Sequence, residues 1–320
     1  MSLVASIIIL VSVLVPAKQW YAPSKPVDVK VDGDQPVHLV AIDFAGKKLE
    51  PKAAADVQPG QMVDLKAIYP QLEAVGTYVV FAVPPGKLVT EFTGTPLLVQ
   101  ARATPKFSGP IGTNVIRVAP LVYAKMTTNR GAMKLAFWFD AAPNTAASFI
   151  NLSEGGFYDG LGFHRVVPGF VIQGGDPTGT GYGGPGYQLP AEFSDRAHEE
   201  GVLSMARTGD PIEPKGMPPR ADWANSAGSQ FFICLSREKC QNLDKKYTAF
   251  GQVVEGLDVV KAIAATPLNG EKPVEPQVIE KVEIVPTTAQ DNPYRALLKL
   301  DLLSTDTRPF TTAPATQPAQ

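Results

Sequence analysis

The sequence predicts a mainly β protein in two β-rich parts, and three observations carry that reading. Short apolar runs of period two recur between turn signals. Glycine (28) and proline (30) make up roughly 18% of the 320 residues, above the usual share of about 12%, which favours turns over long helices. Only two segments space their apolar residues as a helix does. With 29 basic and 31 acidic residues, a net charge of −2, the chain lacks the basic surplus of a nucleic-acid binder. At 44% hydrophobic it is not disordered in bulk. The two cysteines, Cys234 and Cys240, form no CxxC pair, so no metal site is expected.

The elements follow in chain order. Leu3 to Val15 is almost wholly apolar and stops at Pro16. Thirteen residues are too few to span a bilayer as a helix, which takes about 20. Val15-Pro16-Ala17 offers the small-residue pattern of a cleavage site, although no Lys or Arg precedes the run. Residues 1–17 are therefore expected to be a signal peptide or, uncleaved, an N-terminal membrane anchor, with a mis-assigned start or a buried strand as the remaining alternative. A signal or an anchor places the rest outside the cytoplasm, in the periplasm, the cell envelope or the medium.

Val27-Asp28-Val29-Lys30-Val31 alternates strictly, and Asp32-Gly33-Asp34 turns the chain. Residues 37–42 and 62–68 read as further strands. Residues 77–83 are a near-continuous apolar strand closed by Pro84-Pro85-Gly86. This spacing predicts a small sandwich-like accessory domain over residues 18–115, with a linker from Thr104 to Gly112. It carries one histidine, no cysteine and no carboxylate cluster, so it is assigned no chemistry; an envelope partner is its candidate role.

The second part, residues 116–288, has a strand at Met133–Phe139. Pro143 then suits the first helical position, Ala146, Phe149 and Ile150 share a face, and Gly155-Gly156 closes the helix. A second helix, Leu257 to Ala265, presents Leu257, Val260 and Ile263 and stops before Pro267. Residues 289–320, rich in Pro, Thr, Ala and Gln, are expected to be a disordered tail.

The chemistry concentrates in Phe163-His164-Arg165-Val166-Val167-Pro168-Gly169-Phe170-Val171-Ile172-Gln173-Gly174-Gly175-Asp176 and in Asn225-Ser226-Ala227-Gly228-Ser229-Gln230-Phe231-Phe232-Ile233. Phe157-Tyr158-Asp159-Gly160 precedes them and Tyr247-Thr248-Ala249-Phe250-Gly251 follows. Over roughly Leu121 to Val285 this pattern resembles the cyclophilins, the cyclophilin-type peptidyl-prolyl cis-trans isomerases. The resemblance implies a closed antiparallel eight-stranded barrel with two helices, and no cofactor. It implies Arg165 as the catalytic arginine, Gln173 as its orienting partner and Phe170 as the third member of the catalytic set. Phe170, Val171, Phe232 and Leu243 would form the proline pocket. Ala206, Arg207 and Gln230 would hold the preceding peptide, and Tyr247 completes the substrate-binding set.

Rotation about an X-Pro bond breaks amide resonance against a barrier of about 18–20 kcal/mol. It calls for a donor to the prolyl nitrogen, a dry pocket for the ring and polar groups for the neighbouring carbonyl, with no nucleophile, base or metal. The partners expected are proline-containing polypeptides of exported proteins. The alternative is a proline-peptide binding chaperone module with little turnover. Val171 stands where Met is more usual. Asn242 replaces the Trp that favours cyclosporin, so weak cyclosporin binding is expected.

Other features read as structural. His164 has no base to be in this chemistry. Gly179-Thr180-Gly181-Tyr182-Gly183-Gly184 matches GxGxxG in form only, because Pro185 follows and no helix opens there. Cys234 reads as an inert buried thiol and Cys240 falls in a charged loop. Whether they pair in an oxidising compartment stays open.

Overall fold

The computed structural model describes residues 13–103, 114–213 and 217–303. The chain divides into two compact units, residues 1–121 with 286–320, and residues 122–285.

The first unit holds two antiparallel sheets. The larger runs in the order Trp20–Tyr21, Asn114–Pro120, Thr93–Ala103, Gly76–Val83, Val37–Asp43, Asp56–Val57. The smaller is Leu14–Pro16, Asp28–Val31, Met62–Asp64. Sequence patterning explains the faces. Val29 and Val31 are buried while Lys30 between them is exposed, as period two demands. The last six residues of Gly76–Val83 are all buried, because that strand has neighbours on both edges and core on both faces. Val29 and Val31 share one apolar core with Leu39, Ala41, Val80, Val99 and Val118 of the larger sheet.

Four expectations change here. Residues 62–68 are not one strand: Asp64 accepts a hydrogen bond from the Lys66 N–H and starts a helical turn, Leu65–Ile68. The expected linker at 104–112 lies outside the described residues, but the strands flanking it pair from Leu97↔Pro120 to Ala103↔Asn114, so it connects neighbours in one sheet. The boundary between units falls after Leu121 instead of after residue 115. The tail expected to be disordered from residue 289 is placed through residue 303. Tyr294, Leu298 and Leu300 are buried, and the Tyr294 ring meets Phe44 edge-on at 6.2 Å. Residues 304–320 lie outside the described residues, as does most of the expected signal segment. Its end is a strand: Leu14–Pro16 pairs with Val29–Val31, and Leu14 is buried.

The second unit is built on an eight-stranded antiparallel sheet. Its order is Arg165–Val167, Val171–Gly174, Phe231–Cys234, Val202–Met205, Ala249–Glu255, Gly131–Phe137, Val122–Thr128, Ile279–Pro286. The closed barrel needs correction. The strand ladder is open between Arg165–Val167 and Ile279–Pro286, and among the described residues one isolated bridge, Gly162 with Val278, joins those edges. Single backbone bonds flank it, from Phe163 N–H to Gln277 O and from Ile279 N–H to Leu161 O. The chain there breaks into turns, so it meets its neighbour through single bonds without a continuous ladder.

Both expected helices form. Pro143–Glu154 buries Ala146 and Phe149, and its first N–H groups are capped from afar: the Glu192 carboxylate accepts from Asn144 N–H and Thr145 N–H, an anion on the positive end of the helix dipole. Leu257–Ala264 buries Val259, Val260 and Ile263, while Leu257 is only half-buried. Gly256 enters this helix at φ +89°, where a Cβ would lie 2.6 Å from the Ala132 carbonyl oxygen. Residues Leu65–Ile68, Ala221–Ala224 and Arg237–Cys240 add one-turn helices that the sequence did not predict.

Candidate active site

Strand register explains why distant residues converge. Arg165 stands opposite Gln173, Gln173 opposite Phe232, and Phe232 opposite Ser204. Directly paired residues project from the same face of a sheet, so this row crosses four strands on one surface. Val171, two residues before Gln173, shares that face. The tight turn Pro168-Gly169 returns the chain so that the Phe170 N–H meets the Val167 carbonyl, setting Phe170 at the rim.

The result is a pocket of about 140 Å³. Arg165 and Gln173 form one side of it. Val171, Phe170, Phe232 and Leu243 form the apolar part, and Ala206, Arg207 and Tyr247 close it. Nine of the ten site residues expected from the sequence therefore meet. The tenth, Gln230, stands beside them, its side-chain Oε1 accepting from Gln173 Nε2 at 3.0 Å. Gln230 Nε2 in turn donates to the carbonyls of Gly181 and Gly183, both at 2.9 Å. The glycine-rich segment is thus a loop that holds Gln230, and no helix begins in it. Asp176 knots the loop. Burial pushes its pKa up, but N–H groups of Thr178, Gly181 and Gly183 and the Thr178 hydroxyl outweigh that and hold it below the usual carboxylate range.

Arg165 donates from Nη1 to Gln173 Oε1 at 3.2 Å. Its Nε and Nη2 donate to the two carboxylate oxygens of Glu271, at 2.6 and 3.3 Å. His164, next to it, has both ring nitrogens shut from solvent and without partner among the described residues. Burial lowers its pKa. Cys234 and Cys240 are both buried free thiols.

Arg207 sits where the sequence placed it but spends its donors inward. Its side chain is 2% exposed. Nε donates to the Lys246 carbonyl, Nη1 to the Thr208 carbonyl and Nη2 to Glu213, while the guanidinium lies 4.3 Å from the centre of the Tyr247 ring. Glu213 also pairs with Lys246 at 3.1 Å. Together these two cations hold its carboxyl below its usual pKa. Arg207 therefore builds the pocket wall and fastens the segment after it. That segment is pinned a second time where Arg220, stacked over Trp223 at 4.0 Å, grips Asp210. Arg207→Ala is expected to cost about 2 kcal/mol, the scale of hydrogen bonds to charged groups, and to raise KM more than it lowers kcat. Denaturant titration and steady-state kinetics check both.

Sequence reasoning missed the support beneath Phe232. The His198 ring, fully buried, lies 6.2 Å from Phe232 and nearly parallel to it. Its Nδ1 pairs with Asp244 and its Nε2 with Ser204, each at 3.0 Å. Burial lowers the His198 pKa, and Asp244 only partly opposes this. Asp244 stays ionised to about pH 2: burial pushes its pKa up, but Arg237 and His198 more than reverse the push. The sign follows from linkage. Below the ordinary histidine value of 6.5 the unfolded chain takes up the proton and the folded chain resists it. Stability is thus complete above that value and falls as pH drops through the window beneath it. His164 contributes in the same sense, so the check is a difference. Across pH 7.5 to about 5, the midpoint of denaturant unfolding should fall less steeply for His198→Gln than for the unaltered chain.

Residues 123–284 match the family described as cyclophilin type peptidyl-prolyl cis-trans isomerase/CLD. A Synechococcus elongatus protein named peptidyl-prolyl cis-trans isomerase is 43% identical over 161 residues, covering 50% of this chain and 97% of that relative. Peptidyl-prolyl cis-trans isomerase A of Mycobacterium tuberculosis is 39% identical over 188 residues, covering 52% of this chain and 94% of the relative. Among solved structures, a cyclophilin type peptidyl-prolyl cis-trans isomerase of Cryptosporidium parvum aligns at 31% identity with a TM-score of 0.46, over 52% of this chain and 98% of its own. The same Cryptosporidium parvum protein has also been crystallised in the presence of the dipeptide Ala-Pro.

Proposed function

We infer the mechanism and role from one premise: through residues 123–284 this chain belongs to the cyclophilin-type peptidyl-prolyl cis-trans isomerase family and is an enzyme of that class. The observation that carries the mechanism is the juxtaposition of Arg165 and Gln173 on the wall of a pocket lined by Val171, Phe170 and Phe232. A prolyl ring enters the apolar part and leaves its amide at the guanidinium. As the bond twists, the nitrogen recovers a lone pair, which a positioned N–H of Arg165 stabilises. Arginine suits this because it is charged at every working pH and planar. Gln173 fixes Arg165, and Gln230 fixes Gln173, so the donor is preorganised in the manner of an oxyanion hole.

The test is the rate at which the full chain converts a short cis-proline peptide in a protease-coupled assay. Acceleration well above the spontaneous rate, saturable by an Ala-Pro peptide, is expected; binding without acceleration would favour the chaperone alternative. Weak cyclosporin binding belongs to the same reading. It rests on exposed Asn242, and titrating the drug into this assay checks it.

We place the enzyme outside the cytoplasm, acting on exported polypeptides. The support is the apolar run Leu3 to Val15. Because Leu14–Pro16 is a strand of the small sheet, cleavage at Ala17 would strip that sheet of an edge. Retention of the segment as an uncleaved anchor keeps both the apolar run and that strand. N-terminal sequencing of the native protein decides between that and a start at Lys18, and Met1 on a cytoplasmic form would overturn export.

A further inference from the structure

We propose that Glu271 is a positioning residue for the reaction, setting the orientation of the Arg165 guanidinium from the side opposite Gln173. This rests on the reading of Arg165 as the group that stabilises the twisted amide.

Glu271 follows the turn glycine of a short hairpin, Leu268–Asn269 paired with Lys272–Pro273, where Gly270 takes φ +64°. The main chain pins it beside the catalytic strand, because the Val166 N–H donates to the Glu271 carbonyl at 2.7 Å. Its side chain then needs no search: both carboxylate oxygens reach Arg165, on Nε and Nη2. Gln173 takes Nη1. Of five guanidinium N–H groups, three are held from two directions and two remain for substrate. A bidentate carboxylate fixes the plane of a guanidinium as well as its place, which a single amide oxygen cannot.

Arg165 needs such a clamp. Its side chain is 36% exposed, so packing alone does not fix its rotamer. A displacement of about 1 Å at a reacting group can cost about 10²-fold in rate. Glu271 is itself 55% exposed, and exposed ion pairs add little to stability. The contact is therefore poorly explained as a device for holding the fold, and its removal is a clean probe of catalysis.

The experiment measures kcat, KM and thermal midpoint on the full chain for Glu271→Ala, Glu271→Gln, Arg165→Ala and the double variant. Two-dimensional NMR exchange spectroscopy gives the rates, and the Arg165 Nε–H resonance is followed alongside. Glu271→Ala is expected to lower kcat about tenfold, an order below the full misplacement penalty, with KM and midpoint little changed. Glu271→Gln, which keeps one acceptor, should recover part of the loss. The Nε–H resonance should exchange faster in Glu271→Ala, and in the Arg165→Ala background the second substitution should cost nothing more. If Arg165→Ala is impaired while Glu271→Ala keeps kcat within twofold, the inference fails and the role of Arg165 stands. Additive losses in the double variant would also overturn it, since Glu271 would then act elsewhere. An unimpaired Arg165→Ala removes both readings at once.

Discussion

Arg165→Ala is expected to lower kcat/KM by about 10²-fold or more while leaving the fold intact. The scale is that of losing one preorganised donor aimed at developing charge, about 2.7–4 kcal/mol. The fold should survive because the side chain is 36% exposed and its hydrogen bonds go to Gln173 and Glu271, neither of which is buried. Arg165→Lys is the sharper variant. Lysine keeps the charge but cannot hold Glu271 bidentately and reach Gln173 at once, so it should recover only a small part of the loss. Steady-state kinetics on a proline peptide, with circular dichroism as the control for folding, provide the check. Retention of more than about half the activity by a folded Arg165→Ala protein would show that the guanidinium does not do this work.

The parts of this site legible in the sequence lie inside motifs. Arg165 and Gln173 lie on strands joined by the short Pro168-Gly169 turn, which one motif spans whole, whereas Phe232 lies in a second, remote motif that only the family resemblance placed beside the first. The parts that were not legible depend on contacts between remote segments. Glu271 is 106 residues from Arg165, and the Asn269-Gly270 turn signals a hairpin without saying where it docks. His198 and Asp244 are 46 residues apart and meet only once Val202–Met205 is flanked by its neighbours. Arg207 was located correctly but not its direction, because Glu213 belongs to an irregular segment with no periodicity to read. The closed barrel was inferred from family resemblance, and the chain between Asp159 and Arg165 turns too often to complete a ladder.

The ordered start of the C-terminal segment was legible and was misread. Tyr294 and Leu298 stand four apart, the spacing of one helical face, ahead of the Pro/Thr/Ala-rich stretch. Both are buried, and the Leu298 N–H meets the Tyr294 carbonyl. Composition averaged over residues 289–320 concealed a short amphipathic turn at its beginning.

Phe232→Ala is expected to have the second large effect, and on two quantities that can be separated. The ring is 4% exposed, lies nearly parallel to His198 and meets Tyr247 edge-on at 5.7 Å. Emptying such a site costs about 3–5 kcal/mol, the transfer loss plus the cavity. For a unit of this size that is roughly 10 °C in thermal midpoint. Activity should fall more than tenfold even where the variant is still folded, because water then reaches the floor we propose for the prolyl ring, and a group held in a wet pocket loses electrostatic leverage. Phe232→Leu divides the two effects. Leucine restores most of the apolar volume, so stability should recover to within about 1.5 kcal/mol of the unaltered chain. It lacks a flat face, so KM for the proline peptide should stay raised. Thermal unfolding and kinetics at a temperature where all three proteins are folded give the comparison. If Phe232→Ala is destabilised by several kcal/mol yet turns over substrate normally when folded, the ring belongs to the core alone and the floor of the pocket is Val171 and Leu243.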